Sequence, residues 1–152
     1  MPSLEITTAT SGDIDGLTPL FDGYRVFYGQ QSDPGRARSF LMDRLERRES
    51  VIFIARVAGE PAGFIQMYPS FSSVSTGRIW ILNDLYVVAG KRRLGVARDL
   101  ILHAIDWARS QTAVRLVLET SRGNGPAKTL YESLGWSRDT EFDRYSIELD
   151  QD

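Results

Sequence analysis

The residues with the clearest chemical potential form the segment Lys91-Arg92-Arg93-Leu94-Gly95-Val96-Ala97-Arg98. Four of its eight residues are cationic, and a glycine and an alanine lie between them. Small residues let the backbone turn tightly and bring its N–H groups close to an anion. A helix that begins at the same point adds the partial positive charge of its first turn. These residue types and their spacing therefore predict a cradle for a pyrophosphate group.

The elements on either side must position this cradle. The preceding run, residues 79–88, is rich in the β-branched and aromatic residues that are typical of a strand. The following run, residues 100–108, carries apolar residues at helical spacing. A glycine turn alone is a weak signal, and a solvated strand-to-helix turn is the alternative interpretation. The segment lacks the third glycine of a dinucleotide fingerprint and the Lys-Ser/Thr of a Walker loop, so another phosphate-bearing cofactor is expected.

Hydrophobic periodicity and turn residues predict the remaining elements. Strands are expected over residues 4–8, 51–57, 62–68, 113–119 and 140–149, and helices over 14–28, 34–48 and 127–134. A polar loop is expected over residues 69–77. The strand–helix–strand order around the basic segment indicates a right-handed parallel crossover. We therefore expect one α/β domain over residues 1–152, with a mixed sheet.

Composition restricts the class of protein. The 152 residues carry a net charge of −2, no cysteine and one histidine, His103, for which an ordinary surface or packing role is expected. The absence of cysteine excludes disulfides and a thiol nucleophile, and a metal centre is not expected with one histidine. Neither nucleic-acid binding nor a membrane span is indicated. Because the first residues lack the order of a secretion signal, a cytoplasmic location is expected.

Three segments of the chain match motifs of one enzyme family. Residues 92–97 resemble its Arg/Gln-x-x-Gly-x-Gly/Ala signature, and the strand that ends Asn83-Asp84-Leu85-Tyr86-Val87 resembles the strand before that signature. Residues 124–136 resemble its element Asn-x-x-Ala-x-x-Leu-Tyr-x-x-x-Gly-Phe/Trp. The family is the GNAT superfamily of acetyl-CoA-dependent N-acetyltransferases. The chain is similar to its branch of small-amine, amino-acid and histone-tail acetyltransferases.

The resemblance implies a GNAT-type fold, with a central and mostly antiparallel sheet, a parallel strand pair that splays apart, and flanking helices. It implies acetyl-CoA as cosubstrate, with its pyrophosphate held by the backbone of residues 94–97 and its pantetheine arm between the splayed strands. Asn124 would bond the cofactor or cap the short helix. The cofactor-binding residues that follow are Leu85, Tyr86, Val87, Arg92, Arg93, Leu94, Gly95, Val96, Ala97, Asn124 and Lys128.

Three residues are candidates for the chemistry of transfer. Tyr131 resembles the family's tyrosine that protonates the departing CoA thiolate, although a tyrosine on an apolar helix face is ordinarily a core residue. An amine must lose a proton before it attacks, and Asp84 and Glu119, on the two central strands, are the candidate bases. Asp84 is preferred because the rest of its strand is mainly apolar. Carboxylates at strand ends also serve to orient a substrate.

The acceptor site is expected to form from the early helices, the hairpin and the polar loop. Tyr24, Phe27 and Tyr28 supply aromatic side chains, residues 68–73 a mixed surface, and Trp80 a wall. Such a site suits a cationic amine through charge and cation–π contact. A small amine, an amino acid or a peptide lysine would attack directly in a ternary complex, and a homodimer is expected by analogy. The alternatives are a non-catalytic acyl-CoA-binding regulatory module and, against the net charge, a nucleic-acid-binding domain.

Overall fold

The structure is a computed structural model that describes residues 3–92 and 94–150. Its strands are β1 (Leu4–Thr8), β2 (Val51–Val57), β3 (Glu60–Ser72), β4 (Gly77–Val87) and β5 (Arg115–Leu118). Its α-helices are α1 (Ile14–Phe27), α2 (Pro34–Glu46), α3 (Val96–Ser110) and α4 (Gly125–Ser133), with 3-10 turns at Ser11–Asp13 and Ala89–Lys91. The chain divides into two compact units, residues 1–119 and residues 120–152. No described helix is long and apolar enough to cross a membrane.

The first unit contains one five-stranded sheet in the order β1-β2-β3-β4-β5. Neighbouring strands from β1 to β4 are antiparallel, whereas β4 and β5 are parallel and joined through α3. A parallel pair needs such a crossover because a tight turn can join only antiparallel strands. The prediction of a mostly antiparallel mixed sheet with one parallel pair is confirmed.

The core lies on both faces of the central strands. Ile54 and Phe64 belong to the buried cluster that includes Leu17 of α1 and Leu41 of α2. Phe53 points to the other face, where the His103 ring of α3 packs against it at 4.6 Å between centroids. This contact is the packing role expected of His103. Each fully buried side chain of this size contributes about 1.5–3 kcal/mol.

The predicted polar loop at residues 69–77 is wrong in most of its length. β3 continues to Ser72, and β4 begins at Gly77, so the connection is the turn between them. Pro69 pairs with Trp80 in the ladder, and Ser70 pairs with Ile79. The polar composition was outweighed because pairing with an apolar neighbouring strand stabilises an extended backbone whatever its own propensity.

The second unit contains α4 and a long irregular segment. Gly135 ends α4 with φ +94°, and Trp136 N–H donates to the Tyr131 carbonyl in a Schellman motif. The predicted strand over residues 140–149 is wrong, because residues 136–150 contain no helix or strand. Tyr145 is 91% exposed and Ile147 84% exposed. Alternating side chains suit a strand, but without a partner ladder the alternation does not form one.

Candidate active site

The basic segment has the predicted strand–turn–helix geometry. Gly95 lies directly before α3 with φ +76°, a left-handed conformation that favours glycine. Gly95 offers no side-chain cap, so in the described structure no N-cap side chain bonds the first-turn N–H groups of α3. A helix start of this kind concentrates N–H donors and partial positive charge at one place. Leu94 is exposed beside it, whereas Val96 is buried and fixes the helix on the sheet.

Arg92 is held against the end of β4. Its Nε donates to the Val87 carbonyl at 2.9 Å, and its guanidinium carbon lies 5.8 Å from the ring centroids of both Phe27 and Tyr86. The cation is thereby positioned close to the cradle by a backbone acceptor and two aromatic rings. Arg93, also assigned to the cofactor, lies outside the described residues.

The pairing of the two parallel strands stops where β5 ends, several residues before the end of β4. Pairing between β4 and β5 runs from Ile79 and Arg115 to Leu82 and Leu118, while β4 continues to Val87. The Val88 N–H donates to the Ala62 carbonyl of β3. Because the backbone N–H and C=O groups of successive residues in a strand point to opposite sides, those of Leu85 and Val87 point away from β3. Those of Tyr86 face β3 instead. Within the described chain, Leu85 and Val87 therefore present backbone groups at the open edge of β4, where the Val87 carbonyl already accepts one hydrogen bond from Arg92 Nε.

A β-bulge at Asn83 lies next to the first candidate base. Gln66 of β3 pairs with Asp84, and Met67 pairs with Leu82, so Asn83 is the extra residue in β4. A bulge interrupts the ladder and changes the direction of neighbouring side chains. The Asn83 carbonyl accepts a hydrogen bond from the Tyr24 hydroxyl at 3.3 Å. The bulge thus connects β4 with α1 beside Asp84.

Asp84 is a buried carboxylate, 2% exposed, inside a polar network. Its two oxygens accept hydrogen bonds from the side-chain amides of Gln66 at 2.6 Å and Asn83 at 2.7 Å. The Gln66 carbonyl oxygen accepts in turn from the Ser50 hydroxyl at 2.8 Å. Burial raises the pKa of Asp84, and the two amide hydrogen bonds act in the opposite direction. Asp84 can therefore carry charge in the interior and still accept a proton more readily than an exposed aspartate.

A cavity of about 330 Å³ adjoins Asp84. Its lining combines four aromatic residues, two arginines and the end of the bulge: Phe21, Tyr24, Phe40, Tyr68, Arg25, Arg36, Asn83 and Asp84. Burial raises the pKa of Tyr24 and of Tyr68 above the ordinary phenol value, and the charge of Asp84 adds to the rise. Both phenols are therefore neutral over the physiological pH range. The cavity can hold an apolar group, a cation at Asp84 and an anion at the arginines.

The aromatic residues expected around an acceptor are divided by the structure. Tyr24 and Tyr68 line the cavity at Asp84, whereas Phe27 is 60% exposed and Tyr28 58% exposed. Trp80 packs against Trp107 and borders a different depression of about 490 Å³ that includes neither candidate base. No residue pattern predicted a site role for Arg25, Arg36, Phe40 or Gln66. Among these four residues, Gln66 alone stood out in the sequence, because it is a polar residue within an otherwise apolar strand and such a residue needs a buried polar partner.

Glu119 differs from Asp84 in its surroundings. It follows β5 and is exposed, whereas Asp84 is buried within β4. Because desolvation acts on a buried group, the environment favours Asp84 as the proton acceptor. Across the part of the chain that the structure describes, no group of three or more His, Asp or Glu residues could hold a metal ion.

The second unit carries the other residues assigned by the resemblance. The Asn124 side-chain oxygen accepts from the Ala127 N–H at 3.2 Å, so Asn124 caps α4 as one of its two expected roles requires. Lys128 is half-buried in the first turn that follows. Tyr131 is half-buried, and its ring centroid lies 6.0 Å from that of Trp136. Cofactor contact by Asn124 and Lys128 stays a prediction.

Comparison with known proteins places this geometry in a family. Residues 17–136 match the model of the Acetyltransferase (GNAT) family. The chain is 45% identical over 146 residues to the uncharacterized N-acetyltransferase YhfO of Bacillus subtilis. The matched region covers 96% of this chain and 98% of YhfO. The chain belongs to the GNAT family, and it is an acetyltransferase.

Solved structures agree with this assignment. The crystal structure of a probable acetyltransferase superposes with a TM-score of 0.91 at 46% identity, covering 97% of this chain and 99% of the other. An aminoglycoside N-acetyltransferase in complex with CoA superposes with a TM-score of 0.80 at 18% identity, covering 98% and 97% of the two chains. The second likeness shows that the fold is shared.

Proposed function

We propose that the chain transfers the acetyl group of acetyl-CoA to the primary amine of a small molecule, by direct attack in a ternary complex. The observation that carries this proposal is the buried carboxylate of Asp84 beside an aromatic cavity, in the strand that leads to the uncapped start of α3. A buried charge without a structural counter-ion is expensive, so such a group is a candidate for function.

Acetyl-CoA is the proposed donor. Backbone N–H groups of residues 94–97 would bind its pyrophosphate, with the fixed cation of Arg92 nearby. Backbone groups of Leu85 and Val87 at the open edge of β4 would bond its pantetheine amides. The shared fold of an acetyltransferase solved with CoA supports this assignment. The Asn124 oxygen already caps α4, which leaves its amide N–H groups for the cofactor.

Asp84 is the proposed general base. An amine enters mainly as ammonium, and the Asp84 carboxylate would take one proton, directly or through water. The neutral nitrogen then attacks the thioester carbon, where a C–N bond forms and the C–S bond breaks, and the nitrogen loses its second proton to water. The aromatic rings of Tyr24, Phe40 and Tyr68 would stabilise the incoming cation. We assign the protonation of the departing thiolate to Tyr131, as the resemblance implies.

The test measures thiol release from acetyl-CoA with a panel of primary amines. We compare the native protein with Asp84→Asn and Glu119→Gln, and Asp43→Asn on the exposed side of α2 serves as the matched control. Asp84→Asn is expected to lower kcat/KM by about 10²-fold or more, the usual contribution of a general base. A larger loss in Glu119→Gln would transfer the role to Glu119. Bound acetyl-CoA without thiol release for any amine would favour the regulatory module.

A further inference from the structure

The cavity at Asp84 carries two positive charges that acetyl transfer to a simple amine does not use. Arg25 of α1 and Arg36 of α2 line it together with the carboxylate. Guanidinium groups repel an ammonium ion at short range, so they weaken a site whose sole ionic task is to hold an amine. Their presence indicates that another part of the ligand is negative.

Arg25 has an unused donor inside the protein. Its Nη1 is buried and has no hydrogen-bond partner among the described residues. Asp22, one turn earlier, accepts instead from the Ser32 hydroxyl at 2.6 Å and from the Asp33 N–H at 2.8 Å. A buried donor without an acceptor destabilises the folded state, and the effect is larger when the donor is charged. A ligand acceptor at this position would remove that cost.

Neighbouring arginines show what a structural role looks like in this part of the molecule. Arg38 is paired with Asp15 at 2.6 Å, and Arg44 with Glu49 at 3.2 Å. Neither Arg25 nor Arg36 forms a salt bridge with any residue in the described ranges. Arg25 and Arg36 thus line the cavity with no carboxylate of the described chain at salt-bridge distance, although the charge of Arg25 is near enough to lower the pKa of Asp22.

We propose that the acceptor is an aminocarboxylate, an amino acid or short peptide whose amine lies at Asp84 and whose carboxylate is bound by Arg25 and Arg36. The inference rests on the function proposed above and specifies its substrate class. Guanidinium and carboxylate form two parallel hydrogen bonds, which fixes both position and orientation. A cavity of about 330 Å³ is at the small end of ligand pockets, which span roughly 300–1,000 Å³. Tyr24, Phe40 and Tyr68 would contact the ligand's apolar part.

Matched acceptors test the carboxylate directly. Phenylalanine is compared with its amide and with phenethylamine, and lysine with its amide and with cadaverine, in thiol-release assays at saturating acetyl-CoA. A dipeptide series distinguishes a free amino acid from a peptide. The native protein is expected to prefer at least one aminocarboxylate over both of its analogues without the carboxylate by about tenfold or more in kcat/KM, as expected when a charge-assisted contact is lost.

Arginine variants then locate the contact. Arg25→Gln and, separately, Arg36→Gln are expected to bring the ratio of kcat/KM between aminocarboxylate and analogue toward one. Arg38→Gln, on the same helix as Arg36 but outside the cavity, is expected to keep the native ratio. Calorimetric binding of acetyl-CoA shows that each variant is folded. Arg36 is exposed, so its variant remains informative if the change at half-buried Arg25 disturbs folding.

The outcomes separate the two proposals. Efficient transfer to amines with a ratio near one, or a native ratio in both cavity variants, would overturn the aminocarboxylate inference and leave the amine acetyltransferase intact. No transfer to any amine, with acetyl-CoA still bound, would overturn the proposed acceptor chemistry and the inference with it.

Discussion

At the scale of single residues, the site depends on how one buried carboxylate is supported. Asp84 receives two amide donors, and Gln66 is held in its place by Ser50 on the other side. These bonds stabilise the charged form, while burial stabilises the neutral form. The balance between them sets the pH at which Asp84 can act as a base. Gln66 is therefore a positioning residue for Asp84.

Replacing Gln66 is expected to move the pH profile. In Gln66→Met, Asp84 loses a hydrogen bond that lowers its pKa, so the pKa rises and the acidic limb of kcat/KM moves to higher pH. Thermal unfolding should show a loss of about 1–3 kcal/mol, because a buried carboxylate oxygen loses its donor. Ser50→Ala keeps the Gln66 bond to Asp84 and should move the limb less. An unmoved limb in Gln66→Met, with lowered stability, would reduce Gln66 to a packing role.

At the scale of elements, the cradle depends on the connection between β4 and α3. β4 extends past its last pair with β5, the chain turns, and Gly95 lies directly before α3 in a left-handed conformation. The apolar face of α3, which includes Leu100, Ile101 and Ala104, fixes that helix on the sheet. Packing thus determines where the uncapped N–H groups lie, and glycine makes the turn possible.

A methyl group at Gly95 tests the backbone requirement. A Cβ there would meet no described atom within 4 Å, so the effect of Gly95→Ala is backbone strain at φ +76°. We expect the free energy of unfolding to fall by roughly 1–2 kcal/mol, measured by urea denaturation. Gly90→Ala is the matched control, because Gly90 is equally open and its φ is not in the left-handed range. Equal effects of the two changes would contradict this account.

At the scale of the whole molecule, the buried carboxylate links stability to pH. The folded state raises the pKa of Asp84 above its ordinary value of 3.8, so folding favours the protonated form. The stabilising contribution of protonated Asp84 is complete below pH 3.8 and is lost as pH rises through the folded-state pKa.

The homodimer, the cytoplasmic location and the single domain over residues 1–152 stay predictions.

The linkage is measured as a difference between two proteins. We expect the free energy of unfolding of the native protein, relative to that of Asp84→Asn, to decrease as pH rises from about 4 toward neutrality. Because the amide that replaces the carboxyl group in this variant does not titrate, the difference isolates Asp84 from the other carboxylates. Urea denaturation across this range checks the sign. A difference that is constant with pH, or that increases, would show that the folded state does not raise the pKa.

Local patterns in the sequence determined much of this protein. Asn124 caps α4 as its position predicts, because a cap needs only a side chain and the next few N–H groups. The apolar spacing of α3 and the turn at Gly95 are equally local, and with the motif around Tyr131 they identified the family. The fold class and the parallel crossover followed from these features.

Tertiary structure alone decided the contents of the cavity and the ends of the sheet. Arg25 and Arg36 lie on different helices and far from Asp84 in sequence, and the three come together because α1 packs on β4 and α2 packs on α1. The extension of β3 to Ser72 and the irregular residues 136–150 depend on whether a neighbouring strand is present. Strand pairing and charge clustering are non-local, so residue patterns indicate a capacity for them and the folded chain determines the partners.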